Sequence, residues 1–243
     1  MEKTMNKCIL VIPCYNEAER LDRAAFSAFM EQHPEVFFLF VNDGSSDATG
    51  AVLAKLCARR ANAAFFELER NCGKAEAVRR GMLRALELDA DCGFIGFYDA
   101  DLSTSLDEIP RFLELAGDGM LMISGCRLRR LGGNVKRTFI RHLQGRIFAT
   151  VISRYLKLPV YDTQCGAKLY ARSEVAAIAA QPFVTRWLFD VEILKRLTDR
   201  HGNDEIIRRC CEMPLRKWSE IGGSKLRYCA ILKDFLKLLG RKK

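Results

Sequence analysis

Phe94-Ile95-Gly96-Phe97-Tyr98-Asp99-Ala100-Asp101-Leu102 is an apolar run that ends in two carboxylates one residue apart. Flanked by Gly93 and a polar turn, it reads as a buried strand with Asp99 and Asp101 at its carboxyl end. Open α/β sheets bind ligands at that edge. Residues two apart on a strand point to the same side, so the pair can hold one hard divalent cation, and such an ion can bridge the two phosphates of a nucleotide. A plainer reading competes: Ser103-Thr104-Ser105 followed by Glu108 is a good helix start, and Asp-Ala-Asp can simply cap that helix. So short a motif does not choose between them, and the rest of the chain has to.

Upstream, strands and helices alternate. Cys8–Ile12 is an apolar run stopped by Pro13, and Asn16-Glu17 opens a helix in which Leu21, Ala25, Ala28 and Phe29 share a face. A second apolar strand, Val36–Val41, ends at Asn42-Asp43-Gly44-Ser45-Ser46-Asp47, a turn whose Ser and Asp can cap a helix from Ala48 to about Ala61. A strand at Ala63–Leu68, a loop Arg70-Asn71-Cys72-Gly73-Lys74 and a helix aligning Val78, Met82, Ala85 and Leu86 lead to the strand Gly93–Tyr98. Downstream, a helix from Leu106 to about Leu115 precedes a strand at Met120–Gly125. This alternation of wholly apolar strands with helices describes an α/β fold, a mostly parallel sheet with helices on both faces. Right-handed crossovers bring Asn16 and Glu17, Asp43, Asn71 and Lys74, and Asp99 and Asp101 to one edge. Four polar strand ends on one rim suggest a nucleotide site.

Composition narrows the partners. With 243 residues, 49% of them hydrophobic, the chain can bury a substantial core, and its formal charge of +9 points to an anionic partner: nucleic acid, a membrane surface or a phosphorylated substrate. The ten cysteines are scattered, with Cys8, Cys92 and Cys126 inside apolar runs and no Cys-x-x-Cys pair, so they read as buried small hydrophobes of a reducing cytosol. His33, His142 and His201 are far apart and predict no transition-metal cluster. No apolar run reaches the length of a membrane span or a signal peptide, so the expected location is cytoplasmic, with any membrane contact peripheral and on the inner face.

Taken in order, Val11-Ile12-Pro13-Cys14-Tyr15-Asn16-Glu17, Val41-Asn42-Asp43-Gly44-Ser45-Ser46-Asp47, Asn71-Cys72-Gly73-Lys74 and Asp99-Ala100-Asp101 resemble the motif series of family 2 glycosyltransferases. The resemblance implies the nucleotide-diphospho-sugar transferase fold called GT-A. It implies that Pro13, Asn16 and Glu17 line the nucleotide pocket, that Asp43 contacts the base or ribose, and that Lys74 lies near the nucleotide. Asp99 would then contact the sugar nucleotide, and Asp101 would hold Mg²⁺ or Mn²⁺ on its diphosphate.

Three later stretches, Tyr161-Asp162-Thr163-Gln164-Cys165-Gly166-Ala167-Lys168-Leu169-Tyr170, Arg186–Leu194 and Lys217–Lys225, resemble a narrower group, the dolichyl-phosphate β-glucosyltransferases and related polyprenyl-phosphate sugar transferases. By that resemblance Arg127, with one or more of Lys136, Arg137 and Arg141, binds the lipid phosphate, Gln164 lies near the metal and diphosphate, and Asp190 faces the acceptor. Cys126 departs from the Gly-Ser-Arg often found at this point in the family, and Ser103 stands where dolichol-phosphate mannose synthases commonly carry Gln. The eukaryotic glucosyl relatives carry an N-terminal anchor that this sequence does not show. Gly222-Gly223-Ser224-Lys225 lacks full phosphate-loop spacing and reads as a loop closing over the site.

Residues 1–225 are thus expected to form one GT-A domain and 226–243 a basic amphipathic helix and tail, which either packs on that domain or meets an anionic membrane surface. The same choice arises for Ile140, Leu143, Ile147, Val151 and Tyr155, a helical stripe beneath a basic cluster, for which packing on the core is preferred. The resemblance implies an inverting, metal-dependent hexosyltransferase acting on a polyprenyl phosphate, with UDP-glucose favoured as donor over GDP-mannose. The alternative acceptor is a sugar hydroxyl in cell-surface polysaccharide synthesis, for which Asp190 is the candidate base. A nucleic-acid-binding module is the remote alternative, disfavoured because Arg127–Arg141 contains one aromatic residue, Phe139.

Overall fold

The computed structural model describes residues 7–88, 91–132, 134–136, 139–219 and 234–238, with side chains at 136 and 139–142 left out. Its main sheet has seven strands: β1 (Cys8–Cys14), β2 (Val36–Asn42), β3 (Ala63–Glu67), β4 (Phe94–Tyr98), β5 (Met122–Cys126), β7 (Ala167–Ala171) and β8 (Cys210–Pro214), in the order β3-β2-β1-β4-β7-β5-β8. β1 pairs in parallel with β2 (Cys8 opposite Val36) and with β4 (Cys8 opposite Phe94). Almost every residue of β1, β2, β4 and β5 is buried, as expected of strands covered on both faces.

One core lies between the sheet and α1 (Arg23–Gln32), α2 (Thr49–Cys57) and α4 (Ile109–Leu115). The other lies beneath α3 (Lys74–Leu88), α6 (Arg172–Ala179) and α7 (Phe189–His201), with the inner side of α5 (Phe139–Leu156). A short helix, α8 (Asn203–Arg209), leads into β8. β6 (Asn134–Lys136) and β9 (Lys217–Ser219) form a separate parallel pair, and Trp218 of β9 bridges to Thr104 beyond the Asp99–Asp101 turn.

The sheet is mostly parallel, as expected, but β7 lies antiparallel between β4 and β5, a strand not foreseen in that position. Its close approach needs Gly96 in β4, where a Cβ would stand 1.9 Å from the carbonyl oxygen of Lys168.

Several helix boundaries also differ from expectation. α1 starts at Arg23, capped by Asp22, whose side chain accepts from the Ala25 amide at 2.9 Å. Asn16 instead adopts a left-handed φ of 54°. Phe26, Phe29 and Met30 form the buried face of α1, whereas Ala28 is exposed. α2 stops at Cys57, short of Ala61, and Leu106–Glu108 is a 3-10 turn ahead of α4.

The α5 stripe is a larger correction. Of the expected stripe, Leu143, Ile147 and Val151 face solvent, Tyr155 packs on the core beside Phe235 as expected, and the side chain of Ile140 lies outside the described residues, while Ala149, Ile152 and Leu156 take the inward positions. Toward the C-terminus, residues 234–238 are helical and pack on the domain: Asp234 accepts from the Arg186 and Trp187 amides at 2.9 and 2.8 Å, and Leu238 is buried. The rest of 220–243, including the Gly222–Lys225 loop, lies outside the described residues. No described helix is long and apolar enough to cross a membrane.

Candidate active site

The turns after β1 and β2 are laced together. The Asn16 amide donates to Ser45 Oγ at 3.0 Å, and Asn16 Oδ1 accepts from the Ser46 amide at 2.9 Å. The Glu17 amide donates to Thr49 Oγ1 at 2.8 Å. This cross-linking, rather than a helix start, is what Asn16 and Glu17 do locally, and the Asp43 amide donates to the Cys14 carbonyl at 2.8 Å, which ties the two turns together.

Asp43 is buried, and its two carboxylate oxygens accept from the Cys72 and Gly73 amides at 2.7 and 2.8 Å. It thereby fixes the loop that delivers Lys74, the first residue of α3. Burial pushes the Asp43 carboxyl above its ordinary range, against the two amides and Arg186.

Lys74 reaches across to the carboxyl end of β4, with Nζ 2.5 Å from Asp99 Oδ1. Burial works against the Lys74 charge, but Asp99 and Asp190 raise its pKa on balance. Asp99 is backed by the loop before β7: its amide donates to the Gly166 carbonyl at 2.9 Å, and a Cβ on Gly166 would fall 1.9 Å from Asp99 Oδ2. Asp101 Oδ1 accepts from the Ser103 amide at 2.9 Å, with Leu102 between them at a strained φ of 52°. The following helical turn is capped by Ser105, so neither Asp99 nor Asp101 is spent on that task.

The residues present fit a divalent cation. Burial and the nearby Asp101, Asp47 and Asp99 raise the Glu17 carboxyl, opposed by Arg20, and Glu17 Oε2 is buried with no hydrogen-bond partner. A bound cation would relieve this crowd of carboxylates. Among the described residues no three His, Cys, Asp or Glu side chains stand close enough to ligate one ion. Asp101 and Asp99 could supply the protein's share of such a shell, with phosphate and water oxygens completing it, an arrangement that would suit Mg²⁺ or Mn²⁺.

The opposite side of the rim is held by buried ion pairs. Arg127 places Nε and Nη2 at 2.6 and 2.7 Å from the Asp162 carboxylate and stacks 5.4 Å over Trp218. Burial opposes ionisation of Asp162, yet Arg127 brings its pKa down to about 2. Glu212 accepts the Tyr161 and Asp162 amides at 2.7 and 2.6 Å, fixing that turn. Two nitrogens of the expected phosphate ligand are thus engaged within the protein. The side chains of its expected companions Lys136, Arg137 and Arg141 lie outside the described residues.

Gln164 follows on the loop that backs Asp99, and its Nε2 is buried without a partner. Asp190 is also buried, 2.7 Å from Lys168 Nζ. Burial raises the Asp190 carboxyl against the pull of Lys168 and Lys74. Lys168 also donates to the Cys165 carbonyl and lies 5.2 Å over the Phe97 ring. Sequence reasoning missed the roles of Lys168, Asp162 and Glu212, although a lysine inside the apolar strand Ala167–Ala171 is itself a signal that a buried counter-charge exists.

A cavity of about 360 Å³ opens between α1 and β9, lined in part by Phe29, Leu102, Ser103 and Lys217. It adjoins the Asp101 turn but none of the rim carboxylates lines it.

The chain is similar to known proteins. A dolichyl-phosphate β-glucosyltransferase of Drosophila melanogaster is 32% identical over 233 residues, spanning 89% of this chain and 68% of the relative. One from Mus musculus is 30% identical over 238 residues, with the same coverage of 89% and 68%. Among solved structures, mannosyl-3-phosphoglycerate synthase from Rubrobacter xylanophilus superposes with a TM-score of 0.69 at 17% identity, covering 96% of this chain and 74% of that one. Glucosyl-3-phosphoglycerate synthase from Mycobacterium tuberculosis, in complex with Mn²⁺, UDP-glucose and phosphoglyceric acid, gives 0.65 at 16% identity, covering 98% and 81%. At such identities the solved structures speak to the fold, which is GT-A. The model of the family described as glycosyl transferase family 2 matches residues 9–177, a span that holds Glu17, Asp43, Lys74, Asp99, Asp101 and Arg127, and the chain belongs to that family of glycosyltransferases.

Proposed function

We propose that the chain transfers glucose from UDP-glucose to a polyprenyl phosphate, with inversion at the anomeric carbon and with Mg²⁺ or Mn²⁺ bound at Asp101 and Asp99. Likeness to dolichyl-phosphate β-glucosyltransferases over about nine-tenths of the chain supports the sugar and the acceptor. The observation that carries the reading is the state of Asp190. Its carboxylate, the candidate base for a hydroxyl acceptor, is buried and held by Lys168 at 2.7 Å. A sugar hydroxyl needs such a base in order to attack. A phosphomonoester, with a second pKa of about 6, arrives largely ionised and needs none.

In the proposed step an acceptor phosphate oxygen bonds to the anomeric carbon as the bond from that carbon to the donor diphosphate breaks. The bonding pair leaves with the nucleoside diphosphate, and no proton is moved. A bound divalent cation would neutralise charge on that leaving group. The protein's own residues align the partners. Asp43 holds the loop of Lys74, Lys74 and the Gly166 turn fix Asp99, and the Asp162–Glu212 framework fixes Arg127 on the acceptor side. A lipid acceptor requires this rim to work at a bilayer surface, which makes the protein peripheral on the inner face of the membrane.

The test is nucleoside diphosphate release from UDP- and GDP-sugars with Mg²⁺ or Mn²⁺, with and without a short prenyl phosphate. Release that needs UDP-glucose, the metal and the prenyl phosphate is the expected result. Donor binding without any stimulation by prenyl phosphate would reject the lipid acceptor and return attention to a hydroxyl.

A further inference from the structure

The whole formal charge of this protein is concentrated in one segment. Residues 127–161 contain nine Lys and Arg and no Asp or Glu, so the remaining 30 cationic residues are matched by all 30 carboxylates elsewhere. The same segment carries apolar side chains that nothing in the described fold covers. Leu131, in the loop between β5 and β6, is 100% exposed and follows the exposed Arg129 and Arg130. On α5, Leu143, Ile147 and Val151 are 50, 60 and 42% exposed at four-residue spacing.

Among the described residues these side chains have no packing role, because Ala149, Ile152 and Leu156 already fill the inward side of α5. A helix that met only water on its outer side would carry polar residues there at no cost. Arg154 and Lys157 are exposed on and just beyond the same helix, and Arg146 is held at its flank, stacked 3.6 Å over the Tyr161 ring. An outward apolar stripe with cations and no carboxylates is complementary to an anionic bilayer: acyl-level contacts for Leu131, Leu143, Ile147 and Val151, and headgroup phosphates for the arginines.

We propose that α5 and the Leu131 loop dock this enzyme on an anionic membrane, with α5 lying in the plane of the interface. The inference rests on the lipid-phosphate reading above and deepens it. The segment begins at Arg127, whose guanidinium is fixed to Asp162 at the acceptor side of the rim, so the docked face adjoins the place where a lipid headgroup has to arrive. The exposed Leu236 lies outside the charged segment, on the C-terminal helical turn, which packs on the domain through Asp234 and against Tyr155 of α5 through Phe235.

The experiment is co-sedimentation of the full chain with vesicles of phosphatidylcholine alone or mixed with phosphatidylglycerol. The variants are Leu131→Asp with Ile147→Asp, Arg129→Gln with Arg130→Gln, and Leu236→Asp, each checked for an unchanged thermal melt. Binding is expected to need the anionic lipid and to fall about tenfold or more in the first two variants, as removing apolar insertion or local cations requires, and to be unchanged in Leu236→Asp. Transfer to a water-soluble short prenyl phosphate should be the same in all of them. Absence of vesicle binding, binding indifferent to the first two variants, or loss confined to Leu236→Asp would overturn the proposal. So would an Ile147-dependent dimer that does not bind vesicles. If vesicle binding follows the variants but no prenyl phosphate is ever glycosylated, the docking surface stands and the acceptor assignment falls.

Discussion

Gly166→Ala is a one-carbon probe of the proposed donor site. Gly166 has no left-handed φ, so alanine carries no backbone penalty and the steric contact is the whole effect. The added Cβ would stand 1.9 Å from Asp99 Oδ2, 2.2 Å from Cγ and 2.6 Å from Oδ1, where ordinary contact begins at 3.4 Å. The carboxylate must therefore retreat by about 1.5 Å, out of its pairing with Lys74, or the loop must shift by a similar amount. Displacements of this size at a reacting site cost about 100-fold, equivalent to about 2.7 kcal/mol of transition-state stabilisation. Overpacking should also lower stability by about 1–3 kcal/mol, so activity is measured well below the melting transition. The assay is kcat/KM for the donor, with calorimetric titration of UDP-glucose as a second readout. In an Asp99→Ala background the added methyl group meets no carboxylate, and the Gly166→Ala effect on donor binding should vanish. A Gly166→Ala enzyme within about threefold of the parent, or an undiminished effect in the Asp99→Ala background, would refute the placement of Asp99 in the site.

Other consequences follow from the buried charges. Lys168→Met leaves Asp190 buried and unpaired, which should cost about 3–5 kcal/mol and lower Tm by roughly 6–20 °C, with most of the loss recovered in Lys168→Met/Asp190→Leu; a change under about 1 kcal/mol in the single variant would show that the pair is not buried in solution. Burial already raises the Asp190 carboxyl, so without Lys168 it favours the protonated form further, and the variant's deficit should be largest at neutral pH and narrow as pH falls. For Asp162 the sign is opposite. With a folded pKa of about 2 against about 3.9 unfolded, it contributes about 2–3 kcal/mol above pH 4, lost between pH 4 and 2, and acid-unfolding curves of Arg127→Gln should lack that component. Asp101→Asn should abolish Mn²⁺-dependent binding of the donor while leaving metal-free UDP binding largely intact; equal loss of both, measured calorimetrically, would place Asp101 in a structural role instead.

The parallel half of the sheet was legible because a strand buried on both faces must be apolar throughout, and Cys8–Ile12, Val36–Val41 and Phe94–Tyr98 are. The rim carboxylates were legible for a related reason, since charge that ends such a run lies at a strand end. What failed was whatever depended on partners distant in sequence. Asn16 carries a helix-start residue type, but its partners are Ser45 and Ser46, and that long-range lacing overrides the local preference and moves the helix start to Arg23. Ala167–Ala171 did not announce itself as a central strand because Lys168 interrupts it, and the charge is tolerable only because Asp190 arrives from α7. Arg127 was recognised as a cation near the site, but Asp162, 35 residues later, is what fixes its geometry. Periodicity in α5 identified one apolar stripe without revealing that Ala149, Ile152 and Leu156 supply another, and only the surrounding helices decide which stripe turns inward. The stripe left outside is then no longer a packing residue set, and it lies in the segment that holds the protein's entire charge imbalance. The outward apolar side of α5 and its proposed membrane contact therefore have one origin: a helix apolar on two sides needs two apolar partners, and the described residues of the domain supply only one.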